Sequence, residues 1–332
     1  MYLYRFRYYL ILLLFLFANP SFGQKENQLR FFQPADSLHK GRLWITAGLT
    51  AALYTGAMIS VNQLWYKEYP RSKFHTFNDI GEWEDMDKIG HSFSAYIESR
   101  WVFQGAMWTG MDRRKAMWLG AGLGNLFQGS IEILDGFSDK WGFSIGDIGF
   151  NAAGSALFVG QELLWREQRI TMKYSTHYNN YPNTVLFSED GNNSTTIKTR
   201  TDDLYGKSFA QTFLKDYNSQ TIWLSANVYS FLKNKNSRFP KWLNVAVGYG
   251  GENMFGGFRN TWEVDGISYS VDPIEFPRYR QFYLSLDIDL TKIHVRSHFL
   301  KTLLLVLNSF KIPAPTLEFN TNGQFKMHGF YF

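Results

Sequence analysis

The sequence predicts a mainly α protein: an N-terminal four-helix, membrane-associated bundle over residues 43–170, with a smaller C-terminal α+β domain over 204–332. Three observations predict it. An uncharged apolar run, Leu43 to Tyr66, is followed by three more stretches of helical period joined by shortish loops, the signature of a bundle. Aromatic residues make up 18% and charged residues only 19% of the 332 residues, against roughly 25% charge in a typical soluble chain. The mean hydropathy of −0.26 is too low for a chain made mostly of membrane spans. Part of the mass is therefore expected at a membrane and part in water.

The net charge of +5 comes without Lys/Arg blocks and suits an anionic lipid surface. No zinc-finger spacing or RNP-like motif is present, so nucleic acid is not an expected partner. There are no cysteines, which excludes disulfides, thiolate catalysis, cysteine zinc sites and a lipoprotein acyl anchor.

In chain order, residues 1–23 read as a signal peptide. Arg5 and Arg7 form its positive region, Tyr8 to Phe17 its apolar region, and Ser21 and Gly23 its small cleavage residues. Export to the cell envelope is the consequence: periplasm, membrane-associated, with the choice between inner and outer membrane left open. Residues 24–42 form a leading arm. Leu43 to Tyr66 matches the roughly 20 residues of a membrane-spanning helix, with Trp44, Trp65 and Tyr66 at its ends. Gly48, Ser60 and Asn62 suit helix packing as well, so a span and a buried helix stand as equal alternatives. Further helices are expected from Lys88 to Trp108, Ala116 to Leu134 and Ser144 to Arg166. Ser144 to Asp147 has capping-box spacing with Asp in place of Glu.

Residues 171–203, rich in Asn, Thr, Ser and Tyr, read as a linker. Gln220 to Lys233 fits a helix through Leu224, Val228, Phe231 and Leu232. Trp242 to Tyr249 alternates as a strand does. So does Gln281 to Leu290, with Phe282, Leu284 and Leu286 on one face and Tyr283, Ser285 and Asp287 on the other. Lys292 to Lys311 reads as an amphipathic helix covering a sheet, and Phe325 to Phe332 as a last strand. Gly248 to Gly257 follows a strand but lacks the Gly-Lys-Ser/Thr ending of a phosphate loop, and reads as a turn.

The chemistry-bearing residues lie on the three later helices. Asp87, His91 and Glu98 share one stripe, Asn125, Gln128, Glu132 and Asp135 another, and Asp147 and Asn151 a third. Glycines at 120, 122, 124, 149 and 154 would let the backbones approach and bring the stripes together. A buried carboxylate without a partner is costly, so Glu98, Glu132, Asp135 and Asp147 must be neutralised. Three solutions stand open. Lys88 and Arg100 can pair with the acids while Gln128 and Asn151 complete a structural network. A divalent metal can sit between His91 and two or three carboxylates. Or His91 can work as an acid–base beside a carboxylic acid. A single histidine is thin for zinc and the Glu-x-x-His pairs of di-iron bundles are absent, so no metal ligand is assigned and the cofactor is unknown.

The composite of Asp87-Lys88-x-x-His91 with Ser94-Ala95-Tyr96, Glu132-x-x-Asp135-Gly136, and Trp141-Gly142-Phe143-Ser144-x-x-Asp147-x-x-x-Asn151-x-x-Gly154 resembles the YfiM-like family. More distantly it resembles the VanZ-like membrane proteins. The resemblance covers roughly residues 43–166. It implies envelope placement and no settled activity.

Two functions fit. The first is a structural or lipid-handling envelope protein, with Asp87, Lys88, Glu98, Arg100, Gln128, Ser144 and Asn151 as the polar cluster that fixes the bundle. The alternative is a hydrolase or transferase acting on a phosphorylated lipid or lipid-linked glycan. There His91 would be the acid–base, with Glu132, Asp135 and Asp147 positioning a cation or substrate. A membrane lipid or lipid-linked precursor is the expected partner, and oligomeric state is left open. A structural network should be closed, with every member paired; a working site should line a cleft.

Overall fold

The computed structural model describes residues 31–67, 69–234 and 238–332. The signal-peptide reading of residues 1–23 lies outside the described residues. Four long helices come first: α1 (Lys40–Val61, continued by a π-helical turn Asn62–Tyr66), α2 (Met86–Trp108), α3 (Arg113–Asp135) and α4 (Ile145–Leu164). Side chains start three of them. The His39 imidazole accepts from the amide of Arg42. Asp112 accepts from the amides of Arg114 and Lys115, and Ser144 from that of Asp147.

Small residues let α2, α3 and α4 close on one another. A Cβ on Gly154 would lie 2.0 Å from the Ser92 carbonyl, and one on Gly120 2.4 Å from that of Ser99. Gly122 and Gly149, expected to act likewise, face open space. The α1 helix packs loosely: Tyr54 stacks on Phe127 and donates to Ser130, 2.8 Å away. Arg42 is its one buried residue. Lys40–Tyr66 is long and apolar enough to cross a membrane, and the apolar stretch that qualifies it is not buried.

The mainly α expectation is corrected. The described residues also hold a six-stranded antiparallel sheet, ordered β1-β4-β5-β8-β9-β10, which dominates the second half of the chain. Its strands are β1 (Ile170–Thr176), β4 (Gln220–Asn227), β5 (Leu243–Glu252), β8 (Tyr279–Ile288), β9 (Ala314–Asn320) and β10 (Phe325–Tyr331). Two small hairpins, β2 (Val185–Phe187) with β3 (Ser194–Thr196) and β6 (Thr261–Val264) with β7 (Ile267–Ser270), decorate it. Short helices α5 (Ile197–Tyr205), α6 (Phe209–Lys215) and α7 (Val228–Phe231) fill the connections.

Three strands of the main sheet fall where none was expected, β9 among them. β1 opens the segment read as a linker, and β4 occupies most of the stretch read as a helix. Both sides of β1 are buried, Thr171, Lys173 and Ser175 on one and Met172 and Tyr174 on the other; in β4, Thr221, Trp223 and Ser225 are buried on one side and Ile222 on the other. A pattern of apolar-inside alternation does not find such strands. The Leu224–Val228 spacing that suggested a helix straddles the junction of β4 with α7. The helix expected over Lys292–Lys311 shrinks to α8 (His298–Leu307), which buries none of its residues and so does not cover the sheet.

Helices and sheet share one apolar core. Tyr96, Ile97 and Phe103 of α2 and Phe158 of α4 pack against Met172 and Tyr174 of β1 and Ile222 of β4. Between α1 and α2 the chain makes a left-handed turn at Trp83, Glu84 and Asp85, with φ of 52°, 53° and 61°. Arg278 and Arg280, at the start of β8, hold it through Glu84 at 2.7 and 2.9 Å.

Candidate functional site

The start of α2, the end of α3 and the start of α4 meet at one end of these three packed helices. The first turns of α2 carry Asp87, Lys88 and His91, whose spacing puts them on one side of the helix. Lys88 is fully buried. Its Nζ lies 2.7 Å from Asp79, 2.7 Å from Asp147 Oδ1 and 3.2 Å from Asp87. The Nε2 of His91 faces three carboxylates: Glu132 at 3.5 Å, Asp147 at 3.9 Å and Asp87 at 4.0 Å. Its Nδ1 lies 3.2 Å from Asn151 Oδ1. An amide oxygen can only accept, so Nδ1 carries the proton of that bond. Nε2 is thereby left to hold either a second proton or a cation.

Ser144 ties the site to the fold. Its hydroxyl caps α4 through the Asp147 amide and donates to Asp79 at 2.6 Å. The reciprocal half of the expected capping box is replaced, because the Ser144 amide is taken by Glu132 Oε2 at 3.2 Å. That leaves Glu132 Oε1 fully buried and without a hydrogen-bond partner, facing His91. Around these groups lies a cavity of about 440 Å³, walled by Trp65, Trp83, Trp101 and Tyr217 and lined by Asp79, Glu82, Asp87, His91, Asp135 and Asp147.

The electrostatics are those of acids crowded into a dry place. Burial pushes the Glu132 carboxyl up to about 8, Glu82 and Asp135 to about 7, and Asp147 to about 6. For His91, burial works against the charged ring, yet the fields of Asp87, Asp147 and Glu132 outweigh it and hold the imidazole above its ordinary value. Asp87 goes the other way. Burial would raise it, but His91 and Lys88 keep it ionised.

The expected residues divide. Asp87, Lys88, His91, Glu132, Asp147, Ser144 and Asn151 form one contiguous group. Asp135 joins at its edge, bound by the Tyr66 hydroxyl at 2.7 Å. Glu98 and Gln128 pair with each other at 2.8 Å on the same faces of α2 and α3. Arg100 makes no ion pair with these acids. It is buried elsewhere on α2, where its charge acts on Lys173 of β1. The helix stripes could not reveal Asp79 and Glu82, which stand in the preceding loop. Nor could they reveal Tyr217, whose hydroxyl donates to Asp87 at 2.7 Å from the turn before β4. Tyr66 read as an interfacial aromatic.

The model of a family described as a predicted periplasmic lipoprotein, DUF2279, matches residues 76–161. That stretch holds every acid of the cluster together with Lys88, His91 and Asn151, and it stops short of the sheet. It supports an uncharacterised periplasmic family and an envelope location, and does not carry the YfiM-like or VanZ-like names. No curated protein and no solved structure matches the chain.

Proposed function

We propose that this envelope protein holds a divalent cation between His91, Asp87, Asp147 and Glu132, and through that cation binds the anionic head group of a lipid or lipid-linked molecule. The observation that carries the reading is the aim of His91 Nε2 and three carboxylates at one point, with an orphaned oxygen of Glu132 among them. Ligand atoms of Asp87, His91 and Asp147 lie within 4.8 Å of one another. Binding would draw them in toward metal–ligand bonds of about 2.0–2.2 Å. One imidazole with several carboxylates suits manganese or magnesium by ligand type, with zinc as the comparison ion. Asn151 would orient the imidazole from behind. Lys88 is already taken up by Asp79, Asp87 and Asp147 and His91 faces three acids, so no positive excess is left to attract a bare phosphate and an anionic head group needs the cation as a bridge. The aromatic walls offer apolar contact to the lipid chain attached to that head group.

A closed structural network is the weaker reading, since the cluster lines a cavity and Glu132 is incompletely paired. The test is calorimetric titration of the purified chain with Mn²⁺, Mg²⁺ and Zn²⁺. It should be repeated with His91→Ala and Asn151→Ala, and then extended to flotation with phosphatidic acid or phosphatidylcholine vesicles. One ion should bind. His91→Ala should abolish binding and Asn151→Ala should weaken it about 10–100-fold. Flotation with phosphatidic acid should require the ion. Failure of a folded wild-type chain to bind any of the three ions, with both variants lowering the melting temperature equally, would return the cluster to a structural role. Release of inorganic phosphate from the phosphatidic acid would make the site hydrolytic.

A further inference from the structure

The sheet is inside out. Along β8, Phe282, Leu284 and Leu286 are 45–50% exposed while Tyr283, Ser285 and Asp287 are at most 4% exposed. The inversion holds across neighbouring strands. Val245 and Val247 of β5 and Leu317 and Phe319 of β9 point outward, while Asn244, Thr316, Glu318 and Asn320 are buried. The sheet closes around this polar interior. Lys173 of β1 reaches Asp287 of β8 at 2.7 Å, and the Tyr331 hydroxyl of β10 lies 2.7 Å from that of Tyr283 and 3.2 Å from Thr221 of β4. The outer edge of β1 is covered as well: the Tyr174 amide donates to Ser309, and the Lys311 amide to Tyr174, each at 2.9 Å.

A sheet in water hides its apolar side and wets the other. This one does so only where β1 and β4 pack on the helices; the same outer face then continues bare over β5, β8, β9 and β10. From this inversion we infer that the outer face of the sheet is immersed in the hydrocarbon of a lipid bilayer. Two further observations favour lipid over a second copy of the chain. β5 and β8 are ten residues each, the length of a membrane-crossing strand at roughly 9–11 residues. Finally, α1, a separate element, leaves its apolar stretch unburied, and one bilayer accommodates both surfaces where one partner surface would not. Hydrocarbon tolerates only backbone whose polar groups are paired, and the bonds of Tyr174 with Ser309 and Lys311 supply that along β1. The inference does not depend on the His91 cluster.

The absence of cysteine makes the test direct, because one introduced cysteine is unique. Leu284→Cys, Val247→Cys and Phe319→Cys, with Asn192→Cys on an exposed loop as control, are labelled with an environment-sensitive fluorophore. The full chain is then reconstituted in vesicles of phosphatidylethanolamine and phosphatidylglycerol. At the three sheet positions emission should shift to the blue and lose most of its intensity to spin-labelled acyl chains, with little loss to aqueous iodide. The control should show the reverse. Water-like emission quenched by iodide at the sheet positions overturns the inference. So does blue-shifted emission that ignores spin-labelled lipid and fades on dilution of the protein, which would assign the face to a second copy. Circular dichroism melts matching the parent chain establish that each variant is folded.

Discussion

Single side chains on the packed helices set the protein's response to pH. Glu98 is half-buried on α2. One oxygen accepts from Gln128 at 2.8 Å and the other has no partner, so burial pushes its carboxyl up to about 7. The unfolded chain releases that proton near pH 4.5, and the folded chain keeps it until about 7. The folded state therefore binds more protons in between, and stability falls as pH rises through this window. Glu82 and Asp135, raised to about 7 by burial, act in the same direction. Glu98 alone contributes on the order of 3 kcal/mol between the two limits. Glu98→Gln keeps the acceptor for Gln128 and removes the proton. Its melting temperature should be less dependent on pH from 4.5 to 7 than the parent's, and above pH 7 it should exceed the parent's. Equal slopes for the two proteins would show that Glu98 is ionised throughout. The polar stripes of α2, α3 and α4 were legible at this scale because helical period alone places Asp87, His91, Glu132, Asp147 and Asn151. Asp79, Glu82 and Tyr217 were not, because a loop has no period and Tyr217 arrives from a turn far along the chain. Arg100 failed for another reason: charge complementarity suggested a partner, but its position on the helix turns it toward the sheet.

Elements meet at two tight places, each with its own consequence. On the α2–α4 contact, Gly154→Ala would set a methyl 2.0 Å from the Ser92 carbonyl, a clash that only separation of the helices relieves. Overpacking of this kind costs about 1–3 kcal/mol and sometimes more, whereas Gly149→Ala meets nothing and should gain the roughly 1 kcal/mol of helix propensity that alanine holds over glycine. Thermal melts of the two variants should move in opposite directions. At the other place, the left-handed turn ahead of α2 carries three non-glycine residues at positive φ, each costing about 1–2 kcal/mol. Glu84 offsets that cost by binding both Arg278 and Arg280, while the Tyr249 hydroxyl donates to its carbonyl. A double-mutant cycle of Glu84→Ala with Arg278→Ala should give a coupling energy of about 1–3 kcal/mol; a value near zero would mean that backbone contacts alone hold the turn. The helices were legible because apolar runs, caps and turn residues agreed with one another. β1 and β4 were not, because both their sides are buried, one against the helices through Met172, Tyr174 and Ile222 and the other through Thr, Lys, Ser and Trp, so no apolar-in, polar-out alternation marks them.

At the scale of the whole molecule, the interior of the sheet sets ionic and hydrogen-bonded contacts beside a small cluster of Trp223, Ala246 and Tyr283. Its centre is the pair Lys173–Asp287, in which both side chains are fully buried. The pair is well dressed: Lys173 donates to the Ile288 carbonyl at 2.8 Å, and Asp287 accepts from Ser225 at 2.6 Å and from the Ile312 amide at 3.1 Å. It joins β1 to β8, which are not neighbours in the sheet, so it stabilises the curl as well as the local packing. Removing one partner strands a charge, which costs about 3–5 kcal/mol, while replacing both with apolar residues of similar volume is often neutral or stabilising. Asp287→Ala should therefore lower unfolding stability by about 3–5 kcal/mol, and Lys173→Met with Asp287→Leu should recover most of that loss. Chemical denaturation of the purified chain in lipid micelles measures both. If the double variant is as unstable as the single one, the curl needs the ionic contact itself. In that case a polar interior is a requirement of how this sheet closes.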